Sequence, residues 1–182
     1  MKLILDLGPK ILLAFRNRSQ RRLRKLNDAI LKAAALDCNK INFNLAILSY
    51  VLSKIVSKPR FLRRDYSSSL ESIEKILETL INAARKGNEE EVLEIFSTME
   101  KSFITLDKKD PRFLISLVSK GKLKMAATFY AQGMSLGVAS EMTGLEKQEI
   151  LDYAGQTMMF DRVKEEVPIS ERMKRARRFI TG

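Results

Sequence analysis

The chain contains no histidine and a single cysteine, Cys38, among its 182 residues. Without histidine it lacks the most common general base and metal ligand of proteins. One cysteine cannot form an internal disulfide or a zinc cluster, and with no histidine to activate it we expect Cys38 to be a small buried residue rather than a nucleophile. We find neither a glycine-rich phosphate loop nor a pair of suitably spaced catalytic carboxylates. The sequence therefore predicts a protein that is not an enzyme and that holds no metal or cofactor.

Long apolar runs and alternating β-branched runs are also missing. No run approaches the roughly 20 apolar residues that span a bilayer, and Asp6, Gly8, Pro9 and Lys10 interrupt any signal-peptide core. A 45% share of hydrophobic residues is nevertheless enough for a folded core. With only 8 glycines and 4 prolines, we expect an all-α fold, a multi-helix bundle of antiparallel helix pairs in the cytoplasm.

Negative charge is scarce in the first third of the chain. Residues 1–64 hold 15 basic and 3 acidic side chains, whereas residues 65–119 hold 7 basic and 11 acidic ones. Residues 120–182 hold 11 basic and 8 acidic side chains, so most of the net charge of +11 belongs to the N-terminal third. This asymmetry points to a basic surface that binds an anionic partner.

Residues 1–64 are predicted to form a basic helical pair. The first helix starts with Pro9 in its first turn and continues to about Leu36. The second begins with Asn42 as its N-cap and ends before Pro59, and the short connection makes the two helices antiparallel. Residues 58–64 are expected to be a basic linker.

Residues 65–109 are predicted to form an acidic αα-hairpin, in one domain with residues 1–64. Ser68 with Glu71, and Asn88 with Glu91, have the spacing of capping boxes, and Gly87 separates the two helices. Glu89–Glu91 are consecutive, so they diverge on a helix; we attribute them to the helix dipole rather than to a metal site. Dimerisation through this hairpin is a further possibility.

Residues 110–182 are predicted to form a helix-turn-helix-like module with a basic tail helix. Asp110-Pro111 opens a short helix that Gly121 ends, and a further helix covers residues 122–132. Ser140 lies four positions before Gly144, and Leu145 follows that glycine. The remaining positions of the pattern are Ser135 as a cap, Ile150 six residues after the glycine, and a second helix over Glu146–Gln156. This spacing is typical of two short helices that cross at a sharp angle.

Over residues 129–154, and above all from Ser135 to Leu145 with Glu149-Ile150, the chain resembles the helix-turn-helix core of small prokaryotic antitoxin-type regulatory proteins. The resemblance implies regulation or partner binding rather than catalysis. The exposed face predicted for the second helix is acidic, with Glu146, Glu149 and Asp152, and would oppose the phosphates beside a major groove. Lys147 and Gln148, near its start, are the candidates for base contact. The alternative is that this helix only packs against its neighbours and contacts no nucleic acid.

The candidate nucleic-acid-binding residues lie mostly outside that motif. Six cations occur between residues 16 and 25, and on a helix Arg18, Arg21, Arg22 and Lys25 share one side. Internal pairing with the acidic hairpin, an acidic protein partner and an anionic membrane are alternatives to nucleic acid for this face. The C-terminal tail is a second phosphate clamp, an arm that docks on a partner, or a frayed terminus. The complete set of candidates is Arg16, Arg18, Arg21, Arg22, Lys25, Arg63, Arg64, Lys147, Gln148, Arg172, Arg175 and Arg178.

The sequence therefore predicts a non-catalytic nucleic-acid-binding or regulatory protein, with DNA or RNA as its partner. The alternative is a helical adaptor, or an antitoxin-like protein, that binds an acidic protein.

Overall fold

The computed structural model describes residues 1–37, 39–108 and 115–162 of the chain. Within these ranges the secondary structure is helical and includes no strand, which confirms the all-α prediction. The α-helices are α1 (Lys2–Arg16), α2 (Gln20–Leu36), α3 (Lys40–Val56), α4 (Ser67–Lys86), α5 (Glu89–Lys108), α6 (Ile115–Ala131), α7 (Leu136–Thr143), α8 (Lys147–Gln156) and α9 (Met159–Arg162). Two 3-10 helices, Pro59–Leu62 and Arg64–Tyr66, connect α3 to α4.

The predicted first helix is in fact two helices. Arg18 adopts a left-handed backbone conformation with φ of 49°, and the amide of Ser19 donates to the carbonyl of Ala14 at 2.9 Å. The break lets α1 pack against α4 while α2 packs against α3, which one straight helix does not allow. The prediction for Pro9 was also wrong, because α1 begins at Lys2 and the proline lies inside it.

Helix α3 lies at the centre of the bundle, where 13 of its 17 residues are buried. Its neighbours are α1, α2, α5 and α6. The buried side chain of Asn27 on α2 donates to the carbonyl of Ala46 at 2.9 Å and to the hydroxyl of Ser49 at 2.8 Å, so this polar contact in the core is satisfied. Helices α2 and α3 follow each other after a short connection and pack along each other, so they are antiparallel, as predicted.

The N-cap of α3 is Asn39 rather than Asn42. The Asn39 side chain accepts from the amide of Asn42 at 2.8 Å. Asn42 itself is buried, and its side-chain amide donates to the carbonyl of Asp37 at 2.9 Å. Both asparagines therefore secure the start of α3, one as a cap and one as a link to the preceding turn.

Helices α4 and α5 form the predicted αα-hairpin, with Gly87 between them in the left-handed region at φ of 77°. Asn88 accepts from the amide of Glu91 at 3.1 Å, as an N-cap does. The capping box predicted from Ser68 and Glu71 is wrong, because α4 starts at Ser67, directly after the second 3-10 helix.

Gly121 does not end a helix, contrary to the sequence-based prediction. Helix α6 runs through it without interruption from Ile115 to Ala131. A Cβ atom at this position would lie 3.2 Å from Cδ1 of Tyr50, so the glycine permits the close approach of α6 to α3. The predicted start of a helix at Asp110-Pro111 lies outside the described residues.

The buried apolar residues form two clusters that share α6. Met125 and Phe129 of α6 belong to the large cluster built from the N-terminal helices. The small cluster joins α6 to α7, α8 and α9 through Ala126, Ala127, Ala139, Ile150, Ala154 and Met159. Helix α6 thus contributes side chains to both clusters and connects α7, α8 and α9 to the large cluster.

Candidate nucleic-acid interface

The structure separates the six N-terminal cations into two groups. Arg16, at the end of α1, hydrogen-bonds to Glu78 and lies with its Nε atom 3.4 Å from Glu74. Arg18 places Nη2 3.1 Å from the same Glu74 and stacks over the Phe15 ring at 4.9 Å. The hydrogen bond to Glu78 raises the pKa of Arg16 above its ordinary value, so this guanidinium stays charged. Both arginines join α1 and the α1–α2 turn to the acidic hairpin.

The second group remains available to an outside partner. Arg21, Arg22, Arg24 and Lys25 are exposed on the first two turns of α2, and no carboxylate of the described residues forms an ion pair with any of them. We call these four residues the α2 row. Spacings of three and four residues bring their charges together along the helix. Arg18 was predicted to share this side; the helix break and its pairing with Glu74 remove it from the row.

Arg63 and Arg64 lie beside the two 3-10 helices and are exposed. Because α2 and α3 are antiparallel, the connection that follows α3 begins at the same end of the pair as the start of α2. In this connection Phe61 is buried and meets Tyr66 edge to face at 5.4 Å between ring centres. The predicted basic linker is thus a structured segment, anchored by an aromatic pair.

Between α7 and α8, the cap and the turn glycine lie where the sequence predicts. Ser135 accepts from the amide of Val138 at 3.2 Å as the cap of α7, and Gly144 is left-handed with φ of 69°. The hydroxyl of Ser140 donates to the carbonyl of Leu145 at 2.7 Å across the turn. Ile150 is fully buried between the helices. Local hydrogen bonds and one apolar contact therefore fix the angle of the turn.

The outer surface of α8 is acidic, and several of its polar groups are already engaged. Glu146 and Glu149 cap the start of α8 reciprocally. Gln148, a predicted base-reading residue, donates to Asp152 at 2.8 Å. Lys147 is exposed beside them. A phosphate approaching α8 therefore meets three carboxylates and one ammonium group.

The third predicted group, Arg172, Arg175 and Arg178, lies outside the described residues.

The structure also groups basic side chains that were not predicted from the sequence to lie together. The Nζ atoms of Lys54 and Lys124 lie 5.3 and 4.9 Å from the centre of the Tyr50 ring. Arg24 lies one turn before Asn27 on α2, and Asn27 bonds to Ala46 and Ser49 of α3, which places Arg24 level with Tyr50 on the antiparallel α3. We call Arg24, Tyr50, Lys54 and Lys124 the Tyr50 cluster. Only the four-residue spacing of Tyr50 and Lys54 was visible in the sequence, because the other members come from α2 and α6.

A groove with apolar and polar lining residues lies between α1 and α4. It has a volume of about 400 Å³ and is lined in part by Leu12, Leu13, Ile81 and Arg85. Leu13 is 56% exposed.

Two other properties concern the described residues as a whole. No three acidic or cysteine side chains approach closely enough to hold a metal ion, and no helix is long and apolar enough to cross a bilayer.

Comparison of the chain with protein-family models, with curated proteins and with solved structures finds no match.

Proposed function

We propose that the protein is a non-catalytic, cytoplasmic nucleic-acid-binding regulator whose α2 row contacts backbone phosphates. The observation that carries this proposal is the division of the N-terminal cations. Arg16 and Arg18 are neutralised by α4, whereas the four residues of the α2 row are exposed and form no ion pair within the described part of the chain. Concentrated positive charge on one helix surface attracts phosphates irrespective of base sequence.

In this proposal α7 and α8 form a helix-turn-helix-like module that orients the protein or binds a protein partner. The capped turn at Gly144 and the buried Ile150 support such a module, as does the resemblance of residues 129–154 to antitoxin-type regulators. The acidic surface of α8 argues against insertion into a major groove. Affinity for nucleic acid therefore comes from α2, with Arg63 and Arg64 as additional phosphate contacts.

The test is the affinity for labelled duplex DNA and RNA, measured by fluorescence anisotropy between about 50 and about 200 mM salt. Replacing Arg21 and Arg22 by Ala is expected to reduce the slope of log affinity against log salt by about 1 to 2. The control replaces Lys10 of α1 and Lys75 of α4 by Ala. Both lysines are exposed, and their substitution removes the same charge. Salt-independent binding, or equal losses in both double variants, would contradict the proposal.

A second candidate function is that of a helical adaptor for an acidic protein. It is favoured by the α1–α4 groove, whose lining includes the exposed Leu13 and the cation Arg85, while Arg16 in the same lining is bound to Glu78. An amphipathic acidic helix would place apolar groups in the groove and carboxylates at its rim. Leu13→Glu would then abolish association with a co-purifying acidic protein while leaving anisotropy with DNA and RNA unchanged. If that association survives Leu13→Glu, the groove is not the adaptor surface.

A further inference from the structure

The Tyr50 cluster gathers positive charge from three helices around one aromatic ring. Tyr50 and Lys54 are one turn apart on α3, Lys124 comes from α6, and Arg24 comes from α2. The close packing of α6 on α3 at Gly121 brings Lys124 to this ring. Positive side chains gathered around one ring offer an anion a site of opposite charge.

The chemistry of the cluster selects an anion. Ammonium and guanidinium groups carry only hydrogen-bond donors. Partial burial, and then the neighbouring Tyr153, raise the pKa of Tyr50, so its hydroxyl remains protonated at neutral pH and is a further donor. Because two ammonium groups already lie over the Tyr50 ring, the cluster is better suited to a phosphate than to a stacked base.

The cluster is also continuous with the α2 row. Arg24 belongs to both groups, and Arg21 precedes it by one helical turn. A strand that follows the α2 row would therefore continue toward Lys54 of α3 and Lys124 of α6.

We propose that the Tyr50 cluster is a phosphate-binding site for the nucleic-acid backbone, in which Lys54, Lys124 and Arg24 supply charge and the Tyr50 hydroxyl donates a hydrogen bond. The site extends the phosphate contacts of α2 across α3 to α6. This inference rests on the proposed nucleic-acid binding and specifies a second surface for it.

The experiment measures a double variant that combines Lys54→Gln and Lys124→Gln. It is compared with wild type and with a control double variant of equal charge, Lys10→Gln combined with Lys75→Gln. Anisotropy with labelled duplex DNA and RNA gives affinity and salt slope, and circular dichroism verifies the fold. Loss of two phosphate contacts is expected to lower the slope by about 1.8. Tyr50→Phe retains the ring and removes one donor, and it should weaken binding roughly threefold to tenfold.

The outcomes separate this inference from the function on which it rests. If wild type binds neither DNA nor RNA, both fail. Suppose instead that the double variant of Arg21 and Arg22 weakens binding while the double variant of Lys54 and Lys124 matches its control. That result would contradict only the assignment of the Tyr50 cluster as a phosphate site. Polyglutamate serves as a second probe: equal losses for polyglutamate and for the duplex would show a general anion surface and overturn the phosphate assignment. A loss confined to nucleic acid supports it.

Discussion

Ile150→Ala tests whether one apolar side chain holds α7 and α8 at their angle. Ile150 is fully buried in the small cluster, among alanines from α6, α7 and α8. Truncating a buried isoleucine to alanine costs about 2–5 kcal/mol, depending on how far the surroundings relax. This cluster has few buried members, so fewer neighbours hold a cavity open than in a large core. We therefore expect the lower part of that range, about 2–3 kcal/mol.

The loss should be local, because the large cluster does not include Ile150. Amide hydrogen exchange is the assay, since it reports the opening of each helix separately. At about 1.4 kcal/mol per tenfold change, exchange in α7 and α8 should accelerate roughly 30- to 140-fold, while α3 retains its protection. Ile150→Val, which removes one carbon, serves as the control, with an expected cost of about 0.5–1.5 kcal/mol.

Two results would refute this reasoning. Unchanged exchange in α7 and α8 would mean that Ile150 does not hold the pair together. An equal increase in α3 would mean that the two clusters unfold as one unit through α6.

Two further predictions concern local contacts. Asn39→Ala removes the side-chain cap of α3 and should lower the free energy of unfolding by about 1 kcal/mol in urea denaturation; a change close to zero would contradict that role. The pKa of Tyr50 is raised in the folded state, so its contribution to stability is complete below the unfolded value of about 10 and is lost as the pH rises through the folded value. Tyr50→Phe should therefore flatten the fall in stability above about pH 10, and parallel curves for the two proteins would argue against it.

Local signals predicted much of the fold. Gly87 and Gly144 lie at left-handed helix ends, and Ser135 caps α7, because these roles depend on residues close in sequence. The short connections between helical segments likewise indicated that α2 pairs with α3, and α4 with α5, as antiparallel neighbours.

Other features depend on contacts between distant residues, and the sequence did not reveal them. The break between α1 and α2 falls at Arg18, a residue type that does not mark a left-handed turn. Gly121 has the same appearance as a helix end, yet its role is to admit the Tyr50 ring. The sequence also assigned Arg16 and Arg18 to the same surface as Arg21, because their pairing with Glu74 spans more than fifty residues.

The Tyr50 cluster illustrates the same limit for the candidate site. Its members lie at positions 24, 50, 54 and 124, and only the packing of α2, α3 and α6 brings them together. A basic residue in isolation looks like any solvated lysine or arginine. The functional grouping therefore emerges from the fold, not from the charge pattern alone.

The most direct test of the central claim compares two arginine pairs of equal charge in the same segment. Association with labelled duplex is measured against salt for wild type, for Arg21→Ala with Arg22→Ala, and for Arg16→Ala with Arg18→Ala. We expect the first pair of substitutions to lower the salt slope by about 1 to 2. The second pair should leave the slope unchanged, because these arginines already bind Glu74 and Glu78. Equal slopes in the two variants would contradict the division of the N-terminal cations on which the proposed function depends.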